Sequence, residues 1–145
     1  LLEGMPETLE NAMLKYKCLL EFEERYAVSF FEKIRKEYKN DPLYIDMMKR
    51  VVDEVLASNS KNCDLLKNGI EVIYELFNKN IGGDYRLYEN MGILRCRYAD
   101  SYKERSSYYF QQSIDAAKRI GVNAKEIERL EKQFERFQAE IERRK

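Results

Sequence analysis

An all-α domain of about six antiparallel helices, stacked as helical hairpins, is what this sequence predicts, and three observations predict it. Apolar residues recur at steps of three, four and seven along nearly the whole chain. Only six glycines and two prolines punctuate 145 residues. An apolar fraction of 44% accompanies a charged fraction of 36%, the balance of helices that bury one stripe and expose a densely charged face. No stretch shows the period of two that a half-buried strand requires. The length is that of a single domain, 1–145, with a core large enough to need no metal or bridge.

Met5-Pro6-Glu7-Thr8 opens the first helix, with Pro6 suited to a first turn whose amide has no partner. From Glu7 to Lys39 no Gly or Pro intervenes, and Leu9, Met13, Tyr16, Leu20, Ala27, Phe30, Ile34 and Tyr38 form one stripe. The reading is one long helix over 7–39, with a bend at Glu23-Glu24-Arg25 as the alternative. Asn40-Asp41-Pro42 is the clearest boundary, Asp41 being a cap and Pro42 a first-turn residue. The second helix turns Tyr44, Met48, Val51, Val52, Val55 and Leu56 inward, and Ser58-Asn59-Ser60-Lys61-Asn62 ends it. The third buries Leu65, Leu66, Ile70, Ile73, Leu76 and Phe77, and Gly82-Gly83-Asp84 stops it.

A fourth helix, from about Asp84 to Lys103, carries Leu87, Met91, Leu94, Tyr98 and Tyr102, with Glu104-Arg105-Ser106 as the next connection. The fifth, about Ser107 to Ile120, buries Phe110, Ile114, Ala117 and Ile120 and stops at Gly121. Asn123 then caps an amphipathic helix over 124–144, and Glu126 completes a capping-box spacing. Short connections make successive helices antiparallel.

The chemistry available is narrow. With no His in the chain, Ser-His and Cys-His pairs, the Glu-x-x-His motif of di-iron bundles and the usual zinc sites are missing. Gly82-Gly83-Asp84 lacks the pattern of a phosphate-binding loop, and Glu23-Glu24 reads as a solvated face. These features point away from an enzyme and imply no cofactor and no metal. Cys18, Cys63 and Cys96 are widely spaced and odd in number, so they read as buried, reduced small hydrophobes of a cytoplasmic protein. Zero formal net charge counts against nucleic acid as the main ligand. No apolar run could span a membrane. Leu1-Leu2-Glu3-Gly4 has no signal-like pattern, and Leu1 in place of Met points to a trimmed terminus or a fragment.

Eleven tyrosines are the unusual feature. They either fill space at the core's edge or line a surface for a peptide, since Tyr suits contacts with one wet end. The segment from Tyr88 to Tyr98 stands out. On a helix Tyr88, Arg95 and Tyr102 lie near one line, as do Asn90 and Arg97. Such a helix could hold a phosphate or carboxylate by charge-assisted bonds, or its arginines could pair with outer-face carboxylates.

Tyr88-Glu89-Asn90-Met91-Gly92 followed by Ser106-x-x-x-Phe110-x-x-Ser113 resembles a tetratricopeptide repeat over about a quarter of the chain. That resemblance implies hairpin packing of the two helices. Met91 followed by Arg97-Tyr98 is also similar to the phosphate-binding helix of 14-3-3 proteins, and Met48-Lys49-Arg50-Val51-Val52 to the helix supplying that family's phosphate-binding Lys. By this resemblance Lys49, Arg97 and Tyr98 would grip a phosphorylated Ser or Thr.

The expectation is therefore a non-enzymatic module that binds a peptide or partner helix, phosphorylated or not, between its hairpins. The candidate contacts are Lys49, Tyr88, Asn90, Arg95, Arg97 and Tyr98. A structural subunit that forms a homo-oligomer is the alternative. It is motivated by the narrow seam of Ile127, Leu130, Phe134, Phe137 and Ile141, which either a second copy or the chain itself could cover. A small nucleic-acid-binding subunit is the third reading.

Overall fold

The structure is a computed structural model that describes residues 8–58, 62–79, 84–98 and 103–144. Among them are seven α-helices and no strand: α1 (Leu9–Phe22), α2 (Glu24–Glu37), α3 (Tyr44–Ala57), α4 (Cys63–Asn78), α5 (Tyr85–Tyr98), α6 (Lys103–Ile120) and α7 (Ala124–Arg144). The fold is all-α, as the periodicity requires. The chain divides between Val72 and Ile73, inside α4, into two compact units.

In unit 1 the expected helix over 7–39 is two helices, and Glu23 is their joint. Its backbone (φ −143°, ψ 68°) leaves the helical region. Its N–H still donates to Leu19 O at 2.8 Å, while its own carbonyl accepts from Tyr26 N at 2.9 Å and Ala27 N at 3.3 Å. One residue thus closes α1 and opens α2. The physical reason is burial: a straight helix of that length would extend about 50 Å and leave its stripe in water. Folding it at the stripe's one polar position sets α1 against α2, burying Met13, Tyr16 and Leu20 together with Ala27, Phe30, Phe31 and Ile34. Each large side chain so covered contributes roughly 1.5–3 kcal/mol.

Thr8 caps α1 by accepting from Asn11 N at 3.2 Å. Asp41 Oδ1 accepts from Leu43 N at 2.8 Å, in the turn that carries Pro42 into α3. Helix α3 adds Tyr44, Met47, Met48, Val51, Val52 and Val55 to the core, while Leu56 is half-buried. Arg50 on α3 pairs with Glu10 on α1 at 2.8 Å, and further along both helices Leu20 and Ala57 wall one cavity. That register makes α1 and α3 parallel, with their C-termini at the same end. Asn62 Oδ1 caps α4, accepting from Asp64 N at 2.9 Å and Leu65 N at 3.3 Å.

Unit 2 is keyed by small residues. Asp84 Oδ1 accepts from Arg86 N at 3.0 Å to start α5. A Cβ on Gly92 would stand 3.1 Å from three atoms of the Phe110 ring, so glycine allows α6 to approach. The Ser106 hydroxyl, buried, donates to Gly92 O at 2.7 Å, and that of Ser113 donates to Tyr85 O at 2.8 Å. Ser106, Phe110 and Ser113 therefore all serve the α5–α6 contact. Gly121, at φ 77°, ends α6 in the left-handed region, and Val122 N returns to Ala117 O at 3.2 Å. Asn123 Oδ1 caps α7 through Glu126 N at 2.9 Å.

Several expectations need correction. Residues 104–106 are not a connection, because α6 already begins at Lys103; Ser106 is small to fit an interface. Ile120 is exposed, being in the last turn beside Gly121. Only Cys96 of the three cysteines is buried, Cys18 being half-buried and Cys63 exposed at the start of α4. Met5-Pro6-Glu7, Asn59-Ser60-Lys61, Gly82-Gly83 and Tyr102 lie outside the described residues.

Candidate functional site: a tyrosine face on unit 2

The most distinctive side-chain cluster is built around Arg95 of α5, which is only 3% exposed. Its Nη2 donates to the Tyr74 hydroxyl of α4. Its guanidinium lies 5.2 Å from the Tyr74 ring centroid and 5.6 Å from that of Tyr109 on α6. A charge removed from water needs such compensation, and the negative faces of two aromatic rings supply part of it. The rings continue outward. Phe77 packs on Tyr88 at 4.9 Å and on Tyr109 at 6.4 Å, and Tyr108 meets Tyr109 edge-on at 5.2 Å. Tyr74 and Tyr108 are exposed, so the cluster reaches solvent.

Electrostatics follow from this packing. Burial and the bond with Tyr74 push the Tyr109 hydroxyl up to about 12, against the opposing pull of Arg95. The tyrosine stays neutral at any physiological pH. The Arg95 guanidinium sets its positive charge behind the rings of Tyr74 and Tyr109.

The sequence-predicted residues fall on α3 of unit 1 and α5 of unit 2. Tyr88 and Arg95 belong to the ring cluster, Tyr88 through Phe77. Asn90 and Tyr98 are half-buried on α5. Arg97 is half-buried as well; burial lowers its pKa, and the charge of Glu140 on α7 opposes that shift. Arg95 thus faces Tyr74 of α4 and Tyr109 of α6. Lys49 belongs to unit 1, half-buried on α3. Tyr74, Phe77, Tyr108 and Tyr109 were not singled out as a set. Their type was conspicuous in the sequence, but their convergence depends on how three helices meet.

The seam of α7 has partners within its own unit. Leu130 joins Ile114 and Ala117 in one buried cluster, with Ile127 and Phe134 packed against it. Phe134 and Phe137 stack on Phe110 at 5.7 and 4.9 Å, and Ile141 is buried. A polar lock fixes the register. Arg129 Nη1 and Nη2 donate to the two Glu89 oxygens at 2.8 and 3.1 Å, and Arg129 Nε donates to Glu126 Oε1 at 2.6 Å. The Tyr85 hydroxyl donates to Glu126 Oε2 at 2.7 Å. Glu126 is therefore spent on Arg129 and Tyr85 in place of the expected capping box. Those two bonds pull its carboxyl down to about 2, and the two carboxylates raise the pKa of Arg129.

Among the described residues no group of three His, Cys, Asp or Glu side chains could hold a metal ion, and no helix is long and apolar enough to cross a membrane. No protein-family model, curated protein or solved structure matches the chain.

Proposed function

We propose that this chain is a non-enzymatic protein-interaction module that offers the tyrosine face of unit 2 to a peptide or partner helix. The observation that carries the reading is the set of rings around buried Arg95, with Tyr74 and Tyr108 exposed at its rim. Tyr and Arg are the residues that concentrate binding energy at interfaces, because a rigid ring gives much contact area for little lost rotamer freedom. Rings already held by Phe77, Tyr88 and Arg95 lose still less on binding. The resemblance to tetratricopeptide hairpins supports the reading, and so does the seating of Ser106, Phe110 and Ser113 between α5 and α6. Three unbridged cysteines fit a reducing compartment such as the cytoplasm. Self-association through α7 has less support, since its seam residues already have partners on α6.

The test compares affinity capture by the full chain with capture by a Tyr74→Ala/Tyr108→Ala variant. Tyr26→Ala, at an exposed tyrosine of unit 1, is the control. A partner held by the wild type and the control should be lost from the double variant by about 30-fold, the effect of removing a hot spot. Equal capture by all three, at unchanged helicity, rejects the reading.

A further inference from the structure

The hydrogen bonds of the tyrosine face have a direction. The Tyr74 hydroxyl oxygen accepts from Arg95 Nη2. Tyr109 is bonded to the same hydroxyl, and that bond raises the Tyr109 pKa, the sign of a bond in which Tyr109 keeps and donates its proton. Both partners thus donate to the Tyr74 oxygen. A hydroxyl also carries one proton of its own, and Tyr74 is 38% exposed. Its O–H is therefore a donor that the cluster turns toward solvent, and the bonds it accepts polarise it further.

A second observation is where the charge stands. The Arg95 guanidinium is buried and lies 5.2 Å from the Tyr74 ring centroid and 5.6 Å from that of Tyr109. Exposed tyrosine rings ordinarily suit a cation from a partner. Here a cation already lies against both rings, and a second one would meet like charge across them. Positive charge behind the rings and a hydroxyl donor at their rim are complementary to an anion instead.

The surroundings narrow the anion. Tyr108 stands edge-on to Tyr109 at 5.2 Å and is 58% exposed, so ring surface lies beside the donor. One hydroxyl is enough to orient a carboxylate, whereas phosphate is held by several convergent donors. A carboxylate with an apolar neighbour matches both features. Its oxygen accepts from Tyr74 in a charge-assisted bond, and the neighbour lies on the Tyr108 ring. On a helical partner, a Glu and a Leu one turn apart present both groups from one side.

We infer that the tyrosine face recognises an acidic helical segment, with a glutamate carboxylate on the Tyr74 hydroxyl and an aliphatic side chain on the Tyr108 ring. The inference rests on the role proposed for that face and names its partner's chemistry. Calorimetric titration of the full chain with an end-blocked helical peptide of Glu-Ala-Ala-Ala-Leu repeats tests it. Two further peptides carry Gln or Lys in place of every Glu, residues of similar helix propensity. Saturable binding of the Glu peptide is expected, about tenfold weaker binding of the Gln peptide, and weaker binding still of the Lys peptide. Tyr74→Phe keeps the ring and removes the donor. It should bring the Glu peptide to the affinity of the Gln peptide and leave the Gln peptide's own affinity unchanged. Tyr108→Ala should weaken both peptides alike. The inference is overturned if the Gln or Lys peptide binds as tightly as the Glu peptide, if none of the three saturates, or if Tyr74→Phe affects the Glu and Gln peptides equally. Failure of the capture test with Tyr74→Ala/Tyr108→Ala removes the face itself, whereas a face that passes that test while the Glu and Gln peptides bind alike loses only the acidic partner.

Discussion

The two units hold their helices together by different means. In unit 1 the core is apolar, with Met13, Phe31, Met48 and Val51 all buried. The Glu10–Arg50 ion pair across α1 and α3 is exposed, with side chains 72% and 48% accessible. In unit 2 the helices are also indexed by polar keys: Ser106 on Gly92 O, Ser113 on Tyr85 O, and Arg129 on a Glu89 side chain that is only 9% accessible. Apolar contact is non-directional and tolerates sliding, whereas a hydroxyl bonded to one carbonyl fixes a register. Unit 2 is accordingly the better platform for a surface whose rings must keep their places.

The largest expected effect tests what the units share. Phe110→Ala removes the ring on which Phe134 and Phe137 stack, and should cost about 3–5 kcal/mol by chemical denaturation; Met48→Ala should cost about 2–5 kcal/mol in unit 1. A loss below about 1 kcal/mol at either position would break the picture of two real cores. The polar keys should then separate the units. Arg129→Met strands the mostly buried Glu89 carboxylate and should cost about 2 kcal/mol, discounted from a fully buried pair because Arg129 is itself 47% accessible. Arg50→Met, across the exposed pair of unit 1, should change stability by no more than about 0.5 kcal/mol. Equal losses from both substitutions would erase the contrast.

A smaller effect is the acid response. The carboxyl of Glu126 lies at about 2 in the folded chain against a reference of 4.5. The unfolded chain therefore binds that proton first as pH falls. Stability from this group is complete above about pH 5 and is lost between roughly pH 4.5 and 2. Melting curves of Glu126→Gln and the wild type should converge across that window, and a difference that stays constant through it would count against the assignment.

What the sequence disclosed follows from how local each signal is. The cap at Asn123 and the stop at Gly121 depend on a few neighbouring residues, and the structure uses both. The inward stripes of α3 and α4 likewise follow from a period within one helix. The break at Glu23 was harder, because the sequence around it favours helix on both sides and only the gain from pairing α1 with α2 decides the matter. The tyrosine face was legible as composition and not as a place: Tyr74, Tyr88 and Tyr109 lie on three helices, and no spacing rule joins them. The cavity walled by Leu20 and Ala57 was hidden for the same reason, since Glu21 and Glu54 line it together only because α1 and α3 run parallel.

The joint at Glu23 leaves the first hairpin without slack. Because successive helical residues are set about 100° apart around the axis, one residue added or removed there would dial α1 by more than a quarter turn relative to α2. Met13, Tyr16 and Leu20 would swing out of the interior together. The wall that Leu20 gives to the cavity it shares with Ala57 would swing with them, so the angular setting of one glutamate's backbone governs both the first hairpin and the cavity at its end.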